Sequence, residues 1–261
     1  REVSGMSFFS LVGIELKKIR RSKILLILLV PVLIMWIPSI VNAAMNFDTR
    51  GIPITPEHNF LIQGFMGMTW FMIPASLVIC TVLLTQTERS GKGMLKMLSL
   101  PVRPGALCLA KFTVLVILAF GQMGMTVAAY FLSAALASQA QSYPLILEPL
   151  FVCGFALRLY AGAIPMAAVF WMIANLLQTP VFSVGIGLAS IVPSVFILNT
   201  KIWFLDPMSY PFYLLMVEYG TVAQGMYESQ IDWLPWLPAA LCITVLALLI
   251  TCVRFGAAER R

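Results

Sequence analysis

Apolar residues run in six long stretches along the chain, at roughly 24–45, 62–85, 110–137, 155–176, 181–199 and 236–253, with short polar segments between them. About 20 apolar residues in α-helical form cover the ~30 Å hydrocarbon layer of a bilayer. The pattern therefore predicts an all-α, polytopic membrane protein with six transmembrane helices, read as a single transmembrane domain over 6–261. Prolines fall inside several stretches, at Pro31, Pro38, Pro74, Pro165 and Pro193. Each removes a backbone donor and favours a kink that a packed bundle tolerates. Small residues mark the third stretch (Gly121, Gly124, Ala128, Ala129, Ser133, Ala137) and the fifth (Gly185, Gly187, Ala189, Ser190). They allow close helix approach, and the fifth is the expected face for a subunit contact.

Three intervening segments carry patterns of their own. Ahead of the first span, over 7–22, Phe8, Phe9, Leu11, Val12, Ile14, Leu16 and Ile19 interleave with Glu15, Lys17, Lys18, Arg20 and Arg21. That predicts an amphipathic basic helix lying in the headgroup layer, or else a basic flank that only sets topology. In the loop 86–109, Met94, Leu95, Met97 and Leu98 share one helical face, Arg89, Lys92 and Lys96 supply positive charge, and Pro101 stops the helix. This is the signature of a short helix presented to a partner at the membrane surface, against the plainer alternative of a basic linker. The loop 200–235 is rich in Trp, Tyr and Phe. An interfacial aromatic belt accounts for it, and so does a partly re-entrant cap whose Asp206, Glu218, Glu228 and Asp232 attract a cation.

Composition supports the membrane assignment. Of 261 residues, 60% are hydrophobic and only 11% charged, with a mean hydropathy of +0.92, whereas soluble domains carry about 25% charged residues. The net charge of +6 would suit a nucleic-acid partner were it not placed beside the apolar runs. Lysines and arginines concentrate before the first span, between the second and third, and after the sixth, while most acids lie on the other side. The positive-inside rule then predicts cytoplasmic termini, a cytoplasmic 86–109 loop and an external 200–235 loop. Arg1 to Gly5 read as an appended remnant ahead of Met6, the expected natural start.

Little in the chain suggests chemistry of its own. His58 is the sole histidine, which argues against a histidine zinc site or a serine triad, and the five cysteines form no Cys-x-x-Cys pair. Around Gly91-Lys92 the phosphate-loop pattern fails, with Gln86 in place of its first glycine and Gly93 in place of its hydroxyl. The acids fall in loops or at span ends, leaving Arg158 as the charge nearest a span interior, where it either snorkels to the headgroups or binds a ligand. Met68, Met72 and Met123 are candidates, with Arg158, for a tolerant substrate path, although methionines also simply fill gaps between helices. A transporter body without a motor or proton relay expects its motor on another chain. A non-transporting sensor or scaffold that binds a peptide without moving it is the alternative, and an intramembrane enzyme a more distant third.

Against that background the chain resembles the membrane subunit of an ABC-2 type ABC exporter. More narrowly, it is similar to short permeases that protect Gram-positive bacteria against lantibiotics and bacitracin-like peptides. The resemblance rests on Gly13-Ile14-Glu15-Leu16-Lys17-Lys18-Ile19-Arg20-Arg21-Ser22-Lys23, on Glu88-Arg89-Ser90-Gly91-Lys92-Gly93, and on Leu98-Ser99-Leu100-Pro101-Val102 leading to Ala110-Lys111. The six-span layout and the Arg254-Phe255-Gly256 end complete it. It implies two permeases, identical or paralogous, on two ABC ATPase subunits in a bacterial plasma membrane, with ATP and Mg bound by the ATPases and no cofactor on this chain. The 86–109 loop would hold the cytoplasmic coupling helix (Glu88, Arg89, Lys92, Met94, Leu95, Lys96, Leu98), and the N-terminal segment would be the interfacial helix beside it. Glu88 would take the place of the family's recurrent acid at the foot of the second span.

Overall fold

A computed structural model describes residues 7–20, 22–89, 103–177, 179–223 and 229–258, and among these every regular element is helical. In chain order they are α1 (Phe8–Arg20), α2 (Ile24–Val41), α3 (Pro56–Gly67), α4 (Ile73–Arg89), α5 (Pro104–Gln141), α6 (Pro149–Leu176), α7 (Pro180–Ile197), α8 (Tyr210–Val222) and α9 (Trp233–Ala258). Short 3-10 turns occur at Ala43–Phe47 and Trp203–Leu205. Among the described residues, six spans are long and apolar enough to cross a membrane: α2, the continuous Pro56–Gln86 unit, α5, α6, α7 and α9. The expected all-α architecture is thus present.

Helix starts follow from proline chemistry. Pro56, Pro104, Pro149, Pro180 and Pro211 occupy the first or second position of their helices. There the missing N–H is one that no intrahelical carbonyl would have accepted, and the fixed φ already suits a helix. At its other end α5 stops on Ser142, which takes a left-handed φ of 51°, and the Ser142 N–H returns to the Ser138 carbonyl.

α3 and α4 form one span interrupted by a π-helical turn, Met68–Met72. Its cause sits just downstream. Pro74 has no N–H to give to the Trp70 carbonyl, so the ladder must break there. The turn widens before that point, and the Ile73 N–H reaches back five residues to the Met68 carbonyl. Pro31, Pro38, Pro165 and Pro193 stay inside continuous helices, as does Pro238 in α9.

α5 and α6 form the centre. α5 touches α1, α2, α4, α6 and α9, and α6 touches α4, α7, α8 and α9 as well. α2, α7 and α9 are peripheral, and Leu26, Val30 and Ile34 of α2, Val181 and Phe182 of α7, and Leu241 and Val253 of α9 turn outward. Such unpaired apolar faces suit lipid as a solvent. Inside, the Trp36 indole packs on Phe60, Phe65 and Tyr130 with ring centroids 5.6–6.1 Å away. Gly64 makes the slot: a Cβ there would overlap the six-membered ring of Trp36. The small residues of the fifth span divide. Gly187 abuts Val78, whose γ carbons lie 2.8 Å from where a Cβ would be, whereas Gly185 faces open space.

Gly64→Ala must push a rigid, fully enclosed indole, and overpacking of this kind costs about 1–3 kcal/mol. The variant should melt earlier than the parent in detergent. Combining it with Trp36→Phe should give a smaller loss than the two single changes summed, by about 1 kcal/mol in a double-mutant cycle. Strict additivity would mean that Gly64 is not the slot for Trp36.

Candidate functional site

On α1, Leu11, Val12, Glu15 and Ile19 are buried while Phe8, Phe9, Ile14, Lys17 and Lys18 are exposed. The buried positions share one helical face. One of them is a carboxylate. Glu15 therefore points into the bundle, where a charge is tolerated only with partners. Lys111, two turns into α5, donates from Nζ to Glu15 Oε2 at 2.7 Å, and Lys18 donates to Oε1 at 2.5 Å. The Lys111 and Glu15 side chains are only 1% and 4% exposed, so solvent barely screens the pair. Burial by itself would raise the Glu15 pKa, but Lys111 and then Lys18 outweigh it and hold the carboxyl below its ordinary value of 4.5.

The pair fixes α1 to the opening turns of α5. These follow the 90–102 stretch, which joins α4 to α5 in the chain. Glu88 and Arg89 belong to the final turn of α4 and Arg20 is the last residue of α1. Lys92, Met94, Leu95, Lys96 and Leu98 lie outside the described residues, as does Arg21. Near the same end, α9 meets α5 where the Cys252 Sγ lies 3.9 Å from the Gly105 carbonyl oxygen.

Midway along the bundle, the carboxamide of Gln122 on α5 donates to the Ser76 Oγ of α4 at 2.7 Å and to the Leu28 carbonyl of α2 at 3.5 Å. It joins three spans, and charge-based reading of the sequence passed over it. The only sequence signal is its position as the lone carboxamide in 110–137. Met68 and Met123 are buried in the hydrophobic core and Met72 is half-buried against it.

The opposite end holds a second assembly. The 200–235 stretch, expected as a loop, contains the buried helix α8, and this packs on α6. Gly162 of α6 admits it, since a Cβ at that position would come within 2.7 Å of Leu214 Cδ1. Arg158 does not simply snorkel: its Nη2 donates to Glu218 of α8 at 2.5 Å, and its side chain is 46% exposed. Trp203 stacks on Tyr213 with centroids 3.9 Å apart, the Tyr210 hydroxyl donates to the Phe204 carbonyl, and the Asp232 N–H donates to the Tyr213 hydroxyl oxygen. Burial raises the Asp206 pKa, which the N–H of Met208 offsets only in part.

Glu15's depressed pKa sets the sign of a pH effect. The stability it contributes is complete above about pH 4.5 and is lost as pH falls through the lowered folded value. With the intrinsic chemical exchange rate at each pH divided out, the hydrogen-exchange protection of 8–20 should fall as the pH drops below the ordinary carboxyl value of 4.5, and Glu15→Gln should abolish that fall. Lys111→Met strands the buried carboxylate and should cost about 3 kcal/mol. Glu15→Gln combined with Lys111→Met should cost less than the two separate losses. If the protection of wild-type α1 does not change with falling pH, the pair does not hold the helix.

Comparison with known proteins places these features in a family. No curated protein and no solved structure matches the chain. Residues 11–194 match the description "ABC-2 family transporter protein". That match takes in α1 with its Glu15, the Lys111 end of α5, and five of the six candidate spans. The chain belongs to the ABC-2 family of transporter proteins, as a multi-pass membrane permease of the kind that works with ABC ATPase partners.

Proposed function

We propose that this permease exports an amphipathic substrate, with an antimicrobial peptide of the lantibiotic class as the first candidate, using ATP hydrolysed on partner subunits. In this reading the Glu15–Lys111 end faces the cytoplasm of a bacterium and the α8 end faces outward, as the lysine and arginine distribution favours. Two permeases, identical or paralogous, stand on two ABC ATPases. The open face of α7 around Gly185 and Ile186 is the surface offered to the second permease.

The observation that carries the reading is the buried Glu15–Lys111 pair. It ties the surface helix α1 to the helix that follows the 86–109 loop, so the two move as one piece. Glu88, Arg89, Lys92, Met94, Leu95, Lys96 and Leu98 are assigned to docking in the ATPase groove. When the ATPases close, the push enters at this loop and passes to α4 and α5. Gln122 carries it from α5 to α2 and α4, and a shift of packed helices between two arrangements opens the bundle outward. Met68, Met72 and Met123 lie on the helices that would slide, and their flexible side chains allow repacking.

Reconstitution with the cognate ABC ATPase in proteoliposomes tests this. ATP should drive movement of a fluorescent lantibiotic across the bilayer, and the peptide should stimulate ATP hydrolysis. Alanine at Arg89, Leu95 and Leu98 together should lower the stimulated hydrolysis about tenfold, the loss expected from one hot-spot contact, and leave peptide binding intact. Peptide binding without ATP-dependent movement would instead identify a sensor or scaffold.

A further inference from the structure

At the end of the bundle opposite Lys111, a cleft of about 610 Å³ opens between the turn after α7 and the body of α8. Its lining residues bring together three chemistries: basic Lys201 with polar Asn199, acidic Asp232, and the Trp203–Tyr213 aromatic pair with Met216. The two rings stack 3.9 Å apart at 28°, and the Asp232 N–H donates to the Tyr213 hydroxyl oxygen at 2.9 Å, which holds the acid's backbone against the stack.

A ligand of one charge would satisfy one wall of this cleft and be repelled by the other. A zwitterion suits both. An ammonium group is drawn to a carboxylate and to the electron-rich face of Trp or Tyr, while a phosphodiester accepts from lysine and from an amide N–H. The surroundings indicate what the zwitterion is attached to. Phe196, Ile202 and Leu205, on the same segment as Lys201, are 72%, 59% and 58% exposed. Three large apolar side chains turned outward beside a charged cleft suit acyl chains entering from the bilayer edge.

We propose that the cleft binds the headgroup of a zwitterionic phospholipid. Its phosphate rests on Lys201 and Asn199, and its ammonium lies between Asp232 and the Trp203–Tyr213 stack. The assignment is independent of what the permease exports.

Native mass spectrometry of the full chain released in detergent tests it, with phosphatidylethanolamine and phosphatidylglycerol of matched acyl chains as the probes. The wild type should retain phosphatidylethanolamine in preference to phosphatidylglycerol. Lys201→Gln and Asp232→Asn should each weaken phosphatidylethanolamine retention about tenfold, the loss expected of one charge-assisted contact. Asp232→Asn should not weaken phosphatidylglycerol retention. Trp203→Leu should also lower phosphatidylethanolamine retention, by a route that changes no charge. Equal retention of the two lipids by the wild type overturns the proposal, as does undiminished retention in all three variants. Displacement of the lipid by equimolar glycerophosphoethanolamine would show that the acyl chains contribute nothing. Asp232-dependent capture of a cationic amphipathic peptide, with lipid retention unchanged, would assign the cleft to a peptide instead.

Discussion

Hydrocarbon offers no hydrogen-bond partner to an amide or a charge, and the fold follows from that constraint. Backbone groups are satisfied largely within helices, and five helices carry a proline in their first or second position, where a missing N–H costs nothing. Several polar side chains reach partners on other helices. Glu15 meets Lys111, Gln122 meets Ser76, and Arg158 meets Glu218. Each of these joins helices far apart in the chain, so the polar exceptions fix which helices are neighbours. Apolar packing alone would leave that choice weakly determined, because a lipid tail is as good a neighbour as a leucine.

α5 emerges as the spine. It carries Lys111 near its start, Gln122 along its length and Tyr130 farther on, and these contact α1, then α2 and α4, then the Trp36 cluster. Three successive layers of contact are thus strung along one helix. The α8 end is built differently, from stacked rings and backbone-directed hydroxyls, and it packs chiefly on α6. The two ends thus belong to different central helices. They adjoin at the α5–α6 contact, where the Tyr160 hydroxyl of α6 donates to the Val116 carbonyl of α5.

The six spans were legible in the sequence because length and hydropathy are read locally, one stretch at a time. Glu15 was legible as part of a basic amphipathic segment, but not as a buried acid, since its partner lies 96 residues away. Arg158 read as a cation that either snorkels or binds a ligand for the same reason, with Glu218 sixty positions downstream. α8 was hidden because its 13 residues are too few to register as a span, and its aromatics imitate an interfacial belt. Gln122 escaped because an uncharged amide does not stand out when charges are counted. The docking role proposed for the 86–109 loop rests on local apolar spacing and on the family resemblance.

The π-helical turn at Met68–Met72 has a geometric consequence for the span it interrupts. A π turn holds one residue more than an α turn would use, and one residue corresponds to about 100° of rotation and 1.5 Å of rise. α3 and α4 are consequently out of phase. The surface that α3 buries with Phe60, Leu61 and Phe65 is not continued straight down by Leu77 and Val78 of α4. One span can thereby present its apolar stripe to α8 on the α3 side of the turn and to α7 on the α4 side, while α2, α5 and α6 meet both halves.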